Sequence, residues 1–166
     1  MIIRAYGLFW RVDEINWFPG AGNGGEFRLL GRIGKNHPTV RIADFRDQRG
    51  IYILYGDLGP HYAGLVRGQA LGSRLKQHMK DHHEGQWDRF SWFGFRAVLE
   101  DKLDDGTRRL KDLVSYKSLD QNKIIKDLEA IVVKSMALNN AVDSHFSNAK
   151  RWTQIKSEER QKFLDE

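Results

Sequence analysis

A mixed α+β fold is predicted by three features of this 166-residue chain. Short runs rich in β-branched and aromatic residues fill the first 66 positions, the hydrophobic period lengthens to that of a helix after Arg67-Gly68, and a longer helical pattern follows Ser118-Leu-Asp120. Strands are expected over residues 3–11, 26–33 and 39–45, separated by turn clusters at 19–25 and 34–38. Two more, 50–55 and 61–66, flank Gly56-Asp-Leu-Gly-Pro60, a hairpin signal. Leu71, Leu75, His78 or Met79, and His82 share one helical face, and residues 90–98 read as a buried aromatic strand. In the long helix, Ile124, Ile125, Leu128, Ile131, Val132 and Met136 form an apolar stripe expected to face the core. Residues 149–164 read as a final amphipathic helix. The organisation expected is a β-rich subdomain (1–48), a main domain (49–148) and a C-terminal helix (149–166).

Composition narrows the function classes. The chain has no Cys, so disulfides and Cys-ligated zinc, haem or iron–sulfur centres are excluded. Its longest apolar run, Ile51 to Tyr55, falls far short of the roughly 18 residues of a membrane span, so no membrane partner is expected. No signal-peptide pattern follows Arg4, and a cytoplasmic setting, bacterial cytosol or nucleoid-associated, is expected. The net charge is +5. From Tyr62 to Lys80 the chain carries Arg67, Arg74, Lys76 and Lys80 with no acid, which predicts a basic surface suited to phosphates. Arg28, Arg32, Lys35 and Arg41 near turns suit DNA contact, while Phe9, Trp10, Trp17 and Phe18 suit packing against the main domain; both readings of residues 1–48 stand.

One residue of the long helix breaks its pattern. Glu129 shares a face with Ile125, Val132 and Val133, and a carboxylate facing a core is costly unless paired. It reads either as a boundary glutamate that meets an arginine or as a metal ligand. Arg74 and His78, one helical turn apart in the basic stretch, supply the second oddity.

Gly50-Ile51-Tyr52, Tyr62-Ala63-Gly64, Leu71-Gly-Ser-Arg-Leu75, Trp87-Asp-Arg-Phe-Ser-Trp-Phe-Gly94 and Asp127-Leu-Glu-Ala130, in this order, resemble the GIY-YIG nuclease superfamily over residues 48–148. The resemblance implies a small three-stranded antiparallel sheet flanked by helices, here with an N-terminal β-rich extension. It implies a metal-dependent DNA endonuclease that hydrolyses phosphodiester bonds. By the same resemblance the catalytic residues are Tyr52, Tyr62, Arg74, His78, Glu129 and Asn140, with Asn139 adjoining the last. Glu129 would hold one Mg²⁺ or Mn²⁺ per site, and no small-molecule cofactor is implied. Arg67, Lys76 and Lys80 would contact DNA. Ala63 stands where the family usually has Ile or Val, at a packing position.

The chemistry suits these residue types. Phosphodiester hydrolysis builds charge on phosphate oxygens, so catalysis is largely electrostatic stabilisation and positioning. Arg74 presents a planar fork of donors that stays charged at any working pH. A single carboxylate suits a hard, largely water-coordinated cation. The family implies that Tyr52 activates the attacking water, whereas an unperturbed tyrosine, with a pKa near 10, is a poor base; His78 is the alternative. Trp92, Phe90, Phe93 and Phe95 are expected in the core, with Trp87 open to a base-stacking role. Adjacent residues on a helix diverge by about 100°, so no joint His82–His83 site is expected. Residues 20–25 read as a hairpin and 101–105 as a solvated turn. Two other classes remain: a non-catalytic DNA-binding protein on the same fold, and a protein-interaction domain in which Arg74 and Glu129 form a buried ion pair.

Overall fold

The structure is a computed structural model and describes residues 2–20, 26–34, 40–66, 68–113, 120–139 and 144–164. Its strands are β1 (Ala5–Arg11), β2 (Leu30–Ile33), β3 (Arg41–Asp44), β4 (Gly50–Gly56), β5 (Gly59–Val66), β6 (Arg89–Gly94), β7 (Val98–Lys102), β8 (Arg108–Leu110), β9 (Lys150–Arg151) and β10 (Thr153–Gln154). The helices are α1 (Leu71–His78), α2 (Gln121–Ser135) and α3 (Arg160–Leu164). The mixed α+β class holds. Two five-stranded sheets form, ordered β5-β4-β6-β1-β9 and β10-β2-β3-β8-β7. Each is antiparallel except at one parallel pair, β1–β9 and β3–β8 respectively. No helix of the described residues is long and apolar enough to cross a membrane.

The antiparallel group β5-β4-β6 is present, but it is the flank of a five-stranded sheet rather than a sheet of three. β1, expected in a separate β-rich subdomain, pairs with β6. Its Trp10 enters one core with Phe45 and Trp92, the ring centroids 6.0 and 5.3 Å away. Burying such large rings draws the N-terminal strand into the main sheet.

Alternation along β4 assigns its two faces. Tyr52 and Leu54 pack with Leu71 and Leu75 of α1, Phe90 and Trp92, whereas Ile53 and Tyr55 pack with Ala130 of α2, Tyr6, Phe93 and Phe146. The helices α1 and α2 therefore cover opposite faces of the sheet. Gly50 makes the close β4–β6 approach possible: at φ +148° a Cβ there would lie 2.0 Å from the Phe93 carbonyl oxygen.

Of the stripe expected to seat α2, Ile131 packs against the core but most of the rest faces outward. Ile125, Leu128, Val132 and Met136 are each more than half exposed, and Asp127, Ala130 and Val133 are buried instead. Directed hydrogen bonds set the rotation. Asp127 accepts from the amides of Ile2 (3.1 Å), Ile3 (3.3 Å) and Ser147 (2.9 Å) and from the Ser147 hydroxyl (2.8 Å). The Tyr55 hydroxyl donates to the Ser135 carbonyl at 2.6 Å. The charge-assisted bonds to Asp127 outweigh the apolar stripe in setting that rotation. Asp120 caps the start, accepting from the amides of Asn122 and Lys123.

The expected helix over 149–164 is replaced by β9, β10, a 3-10 turn at Ser157–Glu159 and the short α3. Trp152 explains the extended start. It is buried between the two sheets, donates its amide to the Tyr6 carbonyl at 2.8 Å and meets Phe45 at 5.1 Å between centroids. Trp87 also belongs to the core. Residues 98–110, expected to include a solvated turn, form the β7–β8 hairpin, where Arg28 meets Asp105 at 2.7 Å.

Candidate active site

The site is built where α1 crosses the Tyr52 face of the sheet. The start of α1 is fixed by backbone bonds, Leu71 donating to the Gln48 carbonyl (3.0 Å) and Gly72 to that of Arg46 (2.8 Å). Leu75 and His78 follow on its buried face. His78 thereby reaches Tyr52: its Nε2 lies 2.7 Å from the Tyr52 hydroxyl. Across the β4–β5 pair Tyr52 stands opposite Gly64, and a Cβ on Gly64 would lie 2.3 Å from that hydroxyl. Glycine is needed here because the tyrosine ring occupies the space. The Tyr62 ring lies 6.1 Å from that of Tyr52, 5.3 Å from His78 and 4.5 Å from His83.

The helix ends at His78, one turn earlier than its pattern suggests, and residues 79–86 turn back on it. Asp81 closes that turn, its Oδ1 accepting the His83 amide at 2.8 Å while its Oδ2 lies 2.8 Å from His78 Nδ1. Trp87 Nε1 donates to the His78 carbonyl at 3.2 Å. His83 is buried against the site, and the exposed His61 of β5 places its Nε2 2.9 Å from His83 Nδ1. The divergence expected of His82 and His83 assumed a helix. In the turn their rings lie 3.9 Å apart. Asp81, His83 and His61 are thus residues that sequence reasoning missed; the turn formers Asp81 and Gly85 were the available signal.

The charge states follow from burial and partners. Burial pushes Tyr52 up to about 12, against the opposing effect of the Arg74 guanidinium. Burial likewise pushes His78 below the ordinary histidine value, outweighing Asp81. Asp81 is raised by burial but held below the usual carboxylate range by the His83 amide and His78. Arg74 is held above its ordinary value by Tyr52, whose hydrogen bond outweighs burial. At neutral pH Tyr52 is a phenol, His78 neutral, Asp81 and Arg74 charged. Ionised Asp81 only accepts, so His78 carries its proton on Nδ1 and its Nε2 accepts from Tyr52.

Tyr52, Tyr62, Arg74 and His78 are therefore brought together. Arg74 is half-buried, donates to Gln77 Oε1 at 3.0 Å and borders a shallow groove with Leu65, Val66, Gly68 and Gln69. Lys76 and Lys80 stand over the Phe18 ring, 4.8 and 5.3 Å from its centroid. Glu129 is not brought to the group: it is exposed on α2, which packs on the opposite sheet face. An Arg74–Glu129 ion pair is accordingly not formed. Arg67 and Asn140 lie outside the described residues.

Family models, curated proteins and solved structures offer no match to this chain.

Proposed function

We propose that the protein is a phosphodiester hydrolase acting on DNA, an endonuclease of the kind its GIY-YIG resemblance implies. The observation that carries the reading is the hydrogen-bonded chain Tyr52–His78–Asp81 beside Arg74. Neutral His78 is a proton acceptor, and Asp81 stabilises the imidazolium that forms. Tyr52 relays the proton: its oxygen takes one from the attacking water as its own passes to His78 Nε2. The water oxygen forms the new bond to phosphorus while the bond to the departing sugar oxygen breaks, that oxygen taking a proton from solvent. Arg74 clamps the non-bridging oxygens, with Lys76 and Lys80 holding the flanking backbone.

The divalent cation implied by the resemblance does not fit Glu129, which faces solvent on the other side of the sheet. No step is routed through an ion there. Supercoiled plasmid incubated with the protein and Mg²⁺ is expected to become nicked or linear. Retarded but uncut plasmid would replace this reading with a DNA-binding protein.

A further inference from the structure

We propose that His78, Asp81 and His83 form a binding site for one divalent transition-metal ion, for which Zn²⁺ is the representative occupant. One ligand atom from each of the three lies within 4.8 Å of the others. Two imidazoles and one carboxylate suit a borderline cation with an open position for water, whereas Mg²⁺ prefers an all-oxygen octahedral shell. The donor set at this site therefore differs in kind from the lone carboxylate that the sequence resemblance implies.

Three further features favour an ion here. Both histidines are buried, so their rings are held in place. Each has one ring nitrogen anchored, His78 Nε2 by the Tyr52 hydroxyl at 2.7 Å and His83 Nδ1 by His61 at 2.9 Å, as outer partners anchor metal-binding imidazoles. Asp81 is likewise held in place, its Oδ1 accepting the His83 amide at 2.8 Å. Seating the ion requires the site to adjust: His78 Nδ1 and Asp81 Oδ2, now 2.8 Å apart, must separate to about 3.4 Å, and ligand atoms as far apart as 4.8 Å must close to the same spacing, as set by tetrahedral bonds of about 2.1 Å. With the ion on Nδ1, the His78 proton moves to Nε2 and is donated to the Tyr52 oxygen, so the loaded form cannot take the Tyr52 proton and the relay belongs to the metal-free site.

Binding at this site is measurable without DNA, so it stands or falls apart from hydrolysis. The full chain, freed of metal by chelator, is titrated with Zn²⁺ by calorimetry and followed by histidine-ring NMR. The expected result is saturation at one ion per chain, with His78 and His83 ring signals shifting and those of the exposed His145 unmoved. Asp81→Asn and His83→Gln should weaken binding by at least about 100-fold, the scale on which losing even an outer partner counts. Glu129→Ala and His145→Ala should bind as wild type does. Failure of the wild-type chain to saturate, unmoved His78 and His83 signals, or full affinity in Asp81→Asn would overturn the proposal. Should His83→Gln fail to fold by circular dichroism, the wild-type ring signals and Asp81→Asn still decide.

Discussion

The Tyr52 hydroxyl and His78 Nε2 meet at 2.7 Å, although 26 residues separate them in sequence. A strand and the helix that crosses it must both be in register for this contact to form. The contact couples a phenol that is difficult to ionise to a base that is already neutral, and in the proposed hydrolysis the two act as one proton acceptor.

The pH dependence of cleavage follows from that coupling. His78 accepts a proton only when neutral, and burial holds it below the usual histidine value. The rate should rise with pH and level off below about pH 6.5, the unperturbed value. Tyr52, pushed up to about 12, should add no second rise in the neutral range. A log rate still climbing at about pH 9 would mean that tyrosinate itself is the base.

Gly64→Ala should damage the site through sterics alone. The new Cβ would overlap the hydroxyl end of a fully buried Tyr52, and overpacking of this kind costs about 1–3 kcal/mol. Chemical denaturation should show that loss, accompanied by reduced cleavage. The control is Ala63→Ile, at an exposed position of the same strand, which should leave stability nearly unchanged.

Arg74 should contribute to DNA affinity as a phosphate contact. Arg74→Ala should bind more weakly and reduce the slope of log affinity against log salt by about 1. Arg74→Lys should restore the slope but not the cleavage rate, because a point charge lacks the planar fork. Gel-shift titrations at several salt concentrations read both; an unchanged slope in Arg74→Ala would remove the arginine from the interface.

Much of this was legible in sequence. Arg74 and His78 could be singled out because helix spacing is a local property, whereas Tyr52 and Tyr62 were singled out by the resemblance of their motifs; the hairpin signal at residues 56–60 placed their two strands side by side. The rotation of α2 was not legible: it depends on amides at Ile2 and Ile3, some 125 residues from Asp127. Nor was the early end of α1, where the Asp81 turn overrides a helical pattern that continues to His82. Trp152, read as part of a helix, is held extended by a bond to Tyr6 in a distant strand.

Asp127 should link stability to pH. Burial raises its pKa, but the bonds from Ser147, Ile2 and Ile3 together lower it below the ordinary value. A depressed folded-state pKa gives stability that is fully present above the unfolded value of about 3.9 and lost as pH falls through the folded one. Asp127→Ala, which strands one buried and three half-buried donors, should cost on the order of 3 kcal/mol at neutral pH. Urea unfolding of both proteins should converge as pH drops below about 4. A constant gap down to about pH 2 would contradict the assignment.

The most direct measurement is the single-turnover rate of plasmid cleavage by wild type and Tyr52→Phe, both at saturating protein. The relay requires the Tyr52 oxygen, so Tyr52→Phe should cut at least about 100-fold more slowly while keeping its DNA affinity. Cleavage by Tyr52→Phe at the wild-type rate would contradict the account.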